Sequence, residues 1–162
     1  MKGKCVFAGS FDPVTTGHED IIGKCAMMFE EVVVAIGVND EKTYTFSKSV
    51  RLEALKAVCA KYSGVTVAAF DGYLADFLKQ QNTTFYVRGI RDAKDEEYET
   101  KSFEFNVKKN PDIQTIFVPC GKETKKVSST FVKTLIKEGK SIAKYVPREA
   151  LPIIENALNS KA

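Results

Sequence analysis

The chain has 162 residues, 44% of them hydrophobic, with a formal net charge of +3; that length is enough to bury roughly two thirds of the unfolded surface in one core without disulfides or a structural metal. Its longest apolar runs, such as Val32 to Val38, fall far short of the roughly 20 residues of a membrane helix, and the N-terminus carries no secretory pattern. The expectation is therefore a single cytoplasmic domain over 1–162 with no membrane partner, while the mild charge argues against a dedicated nucleic-acid binder.

The first apolar, β-branched-rich run, Lys4 to Ala8, reads as a buried strand. Helical spacing follows over His18 to Phe29, then a strand over Val32 to Val38 and a helix over Ser47 to Tyr62 capped by Ser47. Val65 to Phe70 is the third strand, Tyr73 to Gln80 the third helix, and Thr84 to Arg88 the fourth strand. A helix over Asp95 to Lys109 ends at Asn110-Pro111, a fifth strand runs from Ile113 to Val118, and helices over Ser128 to Lys137 and Pro147 to Leu158 close the chain. Gly139 stands where a helix end needs a left-handed residue. Strict alternation with short connections predicts an α/β fold, a doubly wound Rossmann-like domain with a five-stranded parallel sheet flanked by helices. In such sheets ligands bind beyond the carboxyl ends of the strands, so the loops after Ala8, Val38, Phe70, Arg88 and Val118 are the places to look.

The first of these loops reads Gly9-Ser10-Phe11-Asp12-Pro13-Val14-Thr15-Thr16-Gly17-His18 and runs straight into a helix. Glycines and hydroxyls at a strand-to-helix turn suit a phosphate, because helix N–H groups and a partial positive charge face it. Gly17 leaves room for His18, the one histidine of the chain, to point over the strand ends and donate to a phosphoryl oxygen. Asp12 has two readings, a nucleotide contact or a turn former. The fourth loop begins Arg88-Gly89-Ile90-Arg91-Asp92, whose guanidiniums match phosphate geometry; the competing reading pairs them with Asp92 or Glu96. The fifth leads into Val127-Ser128-Ser129-Thr130, more hydroxyls than a helix cap requires and suited to a second anion site. Lys125 and Lys126 before it either attract a polyphosphate or form a solvated loop. The four cysteines, Cys5, Cys25, Cys59 and Cys120, form no C-x-x-C pair and stand apart from the histidine, which disfavours a zinc site.

The segment Gly9-x-Phe11-Asp12-Pro13-x-Thr15-x-Gly17-His18 resembles the T/H-x-G-H signature of the nucleotidyltransferase superfamily. Arg88-Gly89-Ile90-Arg91 followed by Glu97-Tyr98-Glu99, with Lys42, Phe46, Arg51, Leu74, Asn106, Pro111 and Lys122-Glu123, narrows the resemblance to the phosphopantetheine adenylyltransferase family over nearly the whole chain. That resemblance implies transfer of an adenylyl group from ATP to 4′-phosphopantetheine, magnesium (Mg2+) arriving with ATP rather than in a tight protein site, a homohexamer, and coenzyme A as a candidate inhibitor. It assigns catalysis to His18, Lys42 and Arg91. It assigns acceptor binding to Ser10, Lys42, Leu74, Arg88 and Asn106, and ATP binding to Ser10, Phe11, His18, Gly89, Ile90, Arg91, Glu99, Thr124, Lys125, Lys126, Val127, Ser128, Ser129 and Thr130. The chain departs from the family where Thr124 replaces a usual aromatic and Lys125-Lys126 a less charged segment. The alternatives are a related nucleotidyltransferase with another phosphorylated acceptor and a non-catalytic ATP-binding module. The Arg-Thr-x-Gly-Ile-Ser-Thr segment of cytidylyltransferases is missing, and RNA binding lacks interleaved aromatics.

Overall fold

In the computed structural model, which describes residues 3–39 and 41–160 and, for 93–99, the backbone alone, the strands are β1 (Lys4–Gly9), β2 (Glu31–Val38), β3 (Val65–Asp71), β4 (Phe85–Ile90) and β5 (Gln114–Pro119). Between and after them run α1 (Thr16–Met28), α2 (Lys48–Cys59), α3 (Leu74–Gln80), α4 (Ala93–Lys109), α5 (Ser129–Lys137) and α6 (Leu151–Asn159). All ladders are parallel and the sheet order is β3-β2-β1-β4-β5. The chain starts in the middle, winds outward to β3, then returns across β1 to β4 and β5. This is the doubly wound arrangement read from the sequence.

Alternation along β1 divides the core in two. Cys5 and Phe7 face a cluster with Ile21, Ile22 and Cys25 of α1, Leu55 and Val58 of α2, Val132 of α5 and Ile154 of α6. Val6 and Ala8 face the other side, where Ala75, Phe77 and Leu78 of α3 pack with Tyr86 and Ile113. β1 and β2 are buried on both faces along most of their length, which is why they read as apolar runs and not as alternating ones, while β3 and β5 at the edges are more open.

Several expected boundaries moved: α1 starts at Thr16 rather than His18, α2 ends at Cys59 rather than Tyr62, and α4 starts at Ala93 rather than Asp95. β4 extends past Arg88 because Gly89 and Ile90 still pair with Val118 and Pro119, and the last helix begins at Leu151 rather than Pro147, after a turn in which Ala150 N–H and Leu151 N–H both reach the Pro147 carbonyl. Ser47 caps α2 by accepting from Val50 N–H, and Gly139 takes φ 65° just beyond α5, both as expected. Among the described residues no helix is long and apolar enough to cross a membrane.

Candidate active site

The winding direction reverses between β1 and β4, and that reversal opens a crevice at their carboxyl ends. A cleft of about 570 Å³ lies there. Ser10, Phe11 and His18 reach it from the β1–α1 loop and the start of α1, Lys42 from the β2–α2 loop, and Leu74 from α3. Arg88, Gly89 and Arg91 come from β4 and the residue beyond it, and Val127, Ser128, Ser129 and Thr130 from the approach to α5. Ile90, Asn106, Thr124, Lys125 and Lys126 are not among its lining residues. Ile90 uses its carbonyl to accept from Cys120 N–H at 2.9 Å, Asn106 is buried in α4, and Lys125 and Lys126 are exposed, in line with the solvated-loop reading. The side chains of Glu96 and Glu99 lie outside the described residues.

His18 is held by its own helix. Thr15 is the N-cap of α1: its hydroxyl accepts from His18 N–H at 3.3 Å, and Thr15 N–H donates to His18 Nδ1 at 3.0 Å. The imidazole thus takes the part that Glu or Gln usually plays in a capping box. With Nδ1 committed as acceptor, the ring proton belongs on Nε2, the nitrogen left to meet a ligand. The edge-on ring of Phe11, 4.8 Å away between centroids, backs the imidazole. Phe11 is itself buried and holds φ 46°, a left-handed value that a bulky residue keeps only where packing over-determines it. Burial, with the guanidinium charges of Arg88 and Arg91 beside it, pushes the His18 pKa down to about 3. The imidazole is a neutral donor at physiological pH.

At the start of α1, where the turn suggested a phosphate seat, two of the amides are already engaged. Thr16 N–H donates to Tyr145 O at 2.9 Å and His18 N–H to Thr15 Oγ1, so these early amides of the helix are satisfied internally. What this end turns toward the cleft is the side chain of His18. The hydroxyl row before α5 is partly spent as well: Ser128 caps Phe131 N–H at 3.0 Å, and Ser129 Oγ donates to Pro13 O at 2.8 Å. What this end offers a ligand is the N-terminal turn of α5, whose N–H groups precede any intrahelical partner, together with the remaining hydroxyl capacity.

Asp12 lies in a turn, as one of its two readings had it, and its side chain reaches beyond that turn. Its carboxylate is 3% exposed and accepts Thr45 N–H and Phe46 N–H, each at 2.9 Å, with Lys133 Nζ at 3.6 Å. Arg51, equally buried, donates from Nε to Phe46 O at 3.1 Å and from Nη1 to Ser10 O at 2.8 Å, and lies over the Tyr44 ring. Together they join the β1–α1 loop to the segment that follows Lys42. Arg88 Nη1 donates to Ala8 O at 2.9 Å, bringing the β4 end against the β1 end. Gly17 and Gly89 serve helix packing: a β-carbon at Gly17 would sit 2.9 Å from Val127 O, and one at Gly89 would meet Ile21 Cγ1 at 3.0 Å.

Residues 6–135 match the family model described as cytidylyltransferase-like. Phosphopantetheine adenylyltransferase of Clostridium botulinum is 38% identical over 156 residues, 96% of this chain and 95% of the relative. That of Psychromonas ingrahamii is 39% identical over 153 residues, 94% and 92% of the two chains. The chain belongs to the phosphopantetheine adenylyltransferase family. Its fold is also that of Plasmodium falciparum nicotinic acid mononucleotide adenylyltransferase complexed with NaAD, at a TM-score of 0.67 and 20% identity over 96% of both chains. From the sequence, Thr15 and Arg51 were singled out only within the family resemblance and Asp20 was given no role, so what these three side chains hold went unread. Thr15 was detectable as a cap three positions before His18, and Asp20 as the i,i+4 partner of Lys24. Arg51 carried no local signal, because its partners lie in other loops. Among the described residues no group of three or more His, Cys, Asp or Glu gathers to hold a metal, and the described lining of the cleft is made of cations, hydroxyls and apolar groups.

Proposed function

We propose that this chain transfers the adenylyl group of ATP to 4′-phosphopantetheine, giving dephospho-coenzyme A and pyrophosphate. The observation that carries the reading is a neutral imidazole of fixed tautomer facing one cleft with Lys42, Arg88 and Arg91, in a chain of this family. The acceptor phosphate, with a second pKa of about 6, is largely a dianion at neutral pH and needs no general base. Its oxygen attacks the α-phosphorus of ATP, the bond to the β-phosphate oxygen breaks, and pyrophosphate leaves. Catalysis is then alignment plus stabilisation of charge on the α-phosphoryl oxygens and the leaving group.

Each group has a place in that scheme. His18 donates from Nε2 to an α-phosphoryl oxygen, Lys42 spans the acceptor phosphate and the α-phosphate, and Arg88 with Ser10 holds the acceptor. Arg91, Gly89 and the first turn of α5 hold the nucleotide, with Arg91 nearest pyrophosphate, and Leu74 contacts the pantetheine arm. A lining of cations and hydroxyls fits a nucleotide that brings its own magnesium with water and phosphate ligands. Mg2+ then supplies charge neutralisation on the phosphates. A homohexamer, a cytoplasmic location and inhibition by coenzyme A belong to the same reading.

Pyrophosphate release by the purified protein tests it, with ATP and 4′-phosphopantetheine set against ATP with nicotinamide mononucleotide and against CTP with glycerol phosphate. Turnover confined to the first pair supports the proposal. Comparable kcat/KM with nicotinamide mononucleotide overturns the acceptor, and no pyrophosphate with any pair overturns the transfer.

A further inference from the structure

The β5–α5 connection meets the cleft at its two ends, through Cys120 and through Val127 to Thr130, while 121–126 stand away from it. That intervening stretch is two consecutive turns, closed by Thr124 N–H to Gly121 O at 3.2 Å and Val127 N–H to Thr124 O at 2.9 Å. Neither turn belongs to a strand or a helix, and besides the contact of the Thr124 hydroxyl with Gly121 O at 3.3 Å, side chains from elsewhere brace it.

They come from one face of α1. Asp20 Oδ2 accepts Gly121 N–H at 2.8 Å in the first turn and lies 3.4 Å from the Thr124 hydroxyl at the joint between the two, whose one proton it shares with Gly121 O at 3.3 Å. Lys24, one helical turn on, donates to Asp20 Oδ2 at 2.8 Å and to Pro119 O at 2.7 Å. Gly17, one turn before, lets Val127 O approach closely. Positions 17, 20 and 24 share a helix face. That same helix presents His18 in its first turn, so α1 sets the distance between the imidazole and the start of α5. Thr124, where the resembled family usually has an aromatic, supplies the second contact with Asp20.

We infer that Asp20 is a positioning residue of the nucleotide site: its carboxylate, held by Lys24, fixes the two turns of the β5–α5 connection and thereby places the first turn of α5 opposite His18. The inference rests on the adenylyl-transfer reading above for its kinetic readout, and on hydrogen exchange for a readout independent of it.

The test uses the full chain with Asp20→Ala, Asp20→Asn and Thr124→Val, assayed with ATP varied at saturating 4′-phosphopantetheine and the reverse, plus amide exchange of the free protein. Asp20→Ala is expected to raise the KM for ATP about tenfold, with kcat and the acceptor KM moving less than about threefold, since bonds to a charged acceptor are lost only on the nucleotide side. Exchange at Gly121, Thr124 and Val127 quickens while Ile21 and Ile22 in α1 stay protected. Asp20→Asn, which keeps an acceptor oxygen but loses the charge, falls between wild type and Asp20→Ala. An unchanged KM for ATP, or an equal rise in both KM values with α1 exchanging faster, overturns the inference. Should Asp20→Ala fail to fold, Thr124→Val decides: about a two- to threefold higher KM for ATP with faster exchange at Gly121 supports it, and wild-type values overturn it. If the wild type releases no pyrophosphate, the adenylyl-transfer reading falls, and the exchange measurement alone decides whether Asp20 holds the turns.

Discussion

Asp12 and Asp20 both tie a distant loop to the neighbourhood of α1, yet the first is 3% exposed and the second keeps 25% of its side chain in solvent. Asp12 satisfies two main-chain donors inside the core, Thr45 N–H and Phe46 N–H, with Arg51 donating to the Phe46 carbonyl. Asp20 satisfies one main-chain donor and shares one hydroxyl at the surface, beside Lys24. The loop that carries Lys42 is anchored as part of the interior, whereas the connection that carries the start of α5 is anchored from outside. Loss of an interior anchor leaves buried groups unpaired; loss of a surface anchor leaves groups that water can serve. The wall assigned to the acceptor should therefore be the stiff one, and the wall assigned to the nucleotide the adjustable one.

The largest expected effect belongs to neither wall. His18→Ala should lower kcat about two to three orders of magnitude with both KM values near normal, as for a donor used mainly in the transition state. Steady-state kinetics that instead show full turnover and a raised KM for ATP would reassign His18 to ground-state binding. Next comes Asp12→Asn. An amide offers one acceptor oxygen where two N–H groups wait, so its NH₂ would face a donor, at a cost of about 2 kcal/mol. Thermal melting should show a drop of about 4–8 °C for a chain this long. Asp20→Asn should cost under about 1 kcal/mol, as partly solvated pairs do. Equal melting losses would break the contrast between the two walls.

A third measurement sharpens the electrostatics. Because the chain has one histidine, its imidazole resonances in a proton NMR titration report His18 without assignment. The free protein should show a midpoint near 3, held down by burial and by Arg88 and Arg91, and ATP should raise it by bringing negative phosphate close. The unfolded chain takes up this proton near pH 6.5 and the folded chain does not, so the contribution of His18 to stability is fully present above that pH and declines as pH falls from 6.5 to about 3. A midpoint near 6.5 in the free protein would contradict the fixed, neutral tautomer. Smallest of all, Lys125→Ala with Lys126→Ala should change the KM for ATP less than about twofold, because exposed charges are screened.

Much of this was legible in the sequence. Strands buried on both faces announce themselves as apolar runs, and a parallel sheet with one reversal directs attention to the carboxyl ends of β1 and β4, around which His18, Arg88 and Arg91 stand. The anchors were not legible for a geometric reason. Asp12 meets Thr45 and Phe46 across 33 and 34 positions and Asp20 meets Gly121 across 101, distances at which neither period nor local motif carries information. The row Ser128-Ser129-Thr130 was legible as a group, and it does line the cleft, but composition could not show that Ser128 caps its helix and that Ser129 donates to Pro13 O.

That bond from Ser129 to Pro13 spans 116 positions, and it has a bearing on how the protein is made. A growing chain halted just past Arg91 would already hold the imidazole and both arginines, yet the opposite half of the pocket would still be unsynthesised. Since domains fold as their segments emerge from the ribosome, chemistry must wait until residues beyond Ser129 have been translated and α5 has docked, so truncated products should be inert toward ATP.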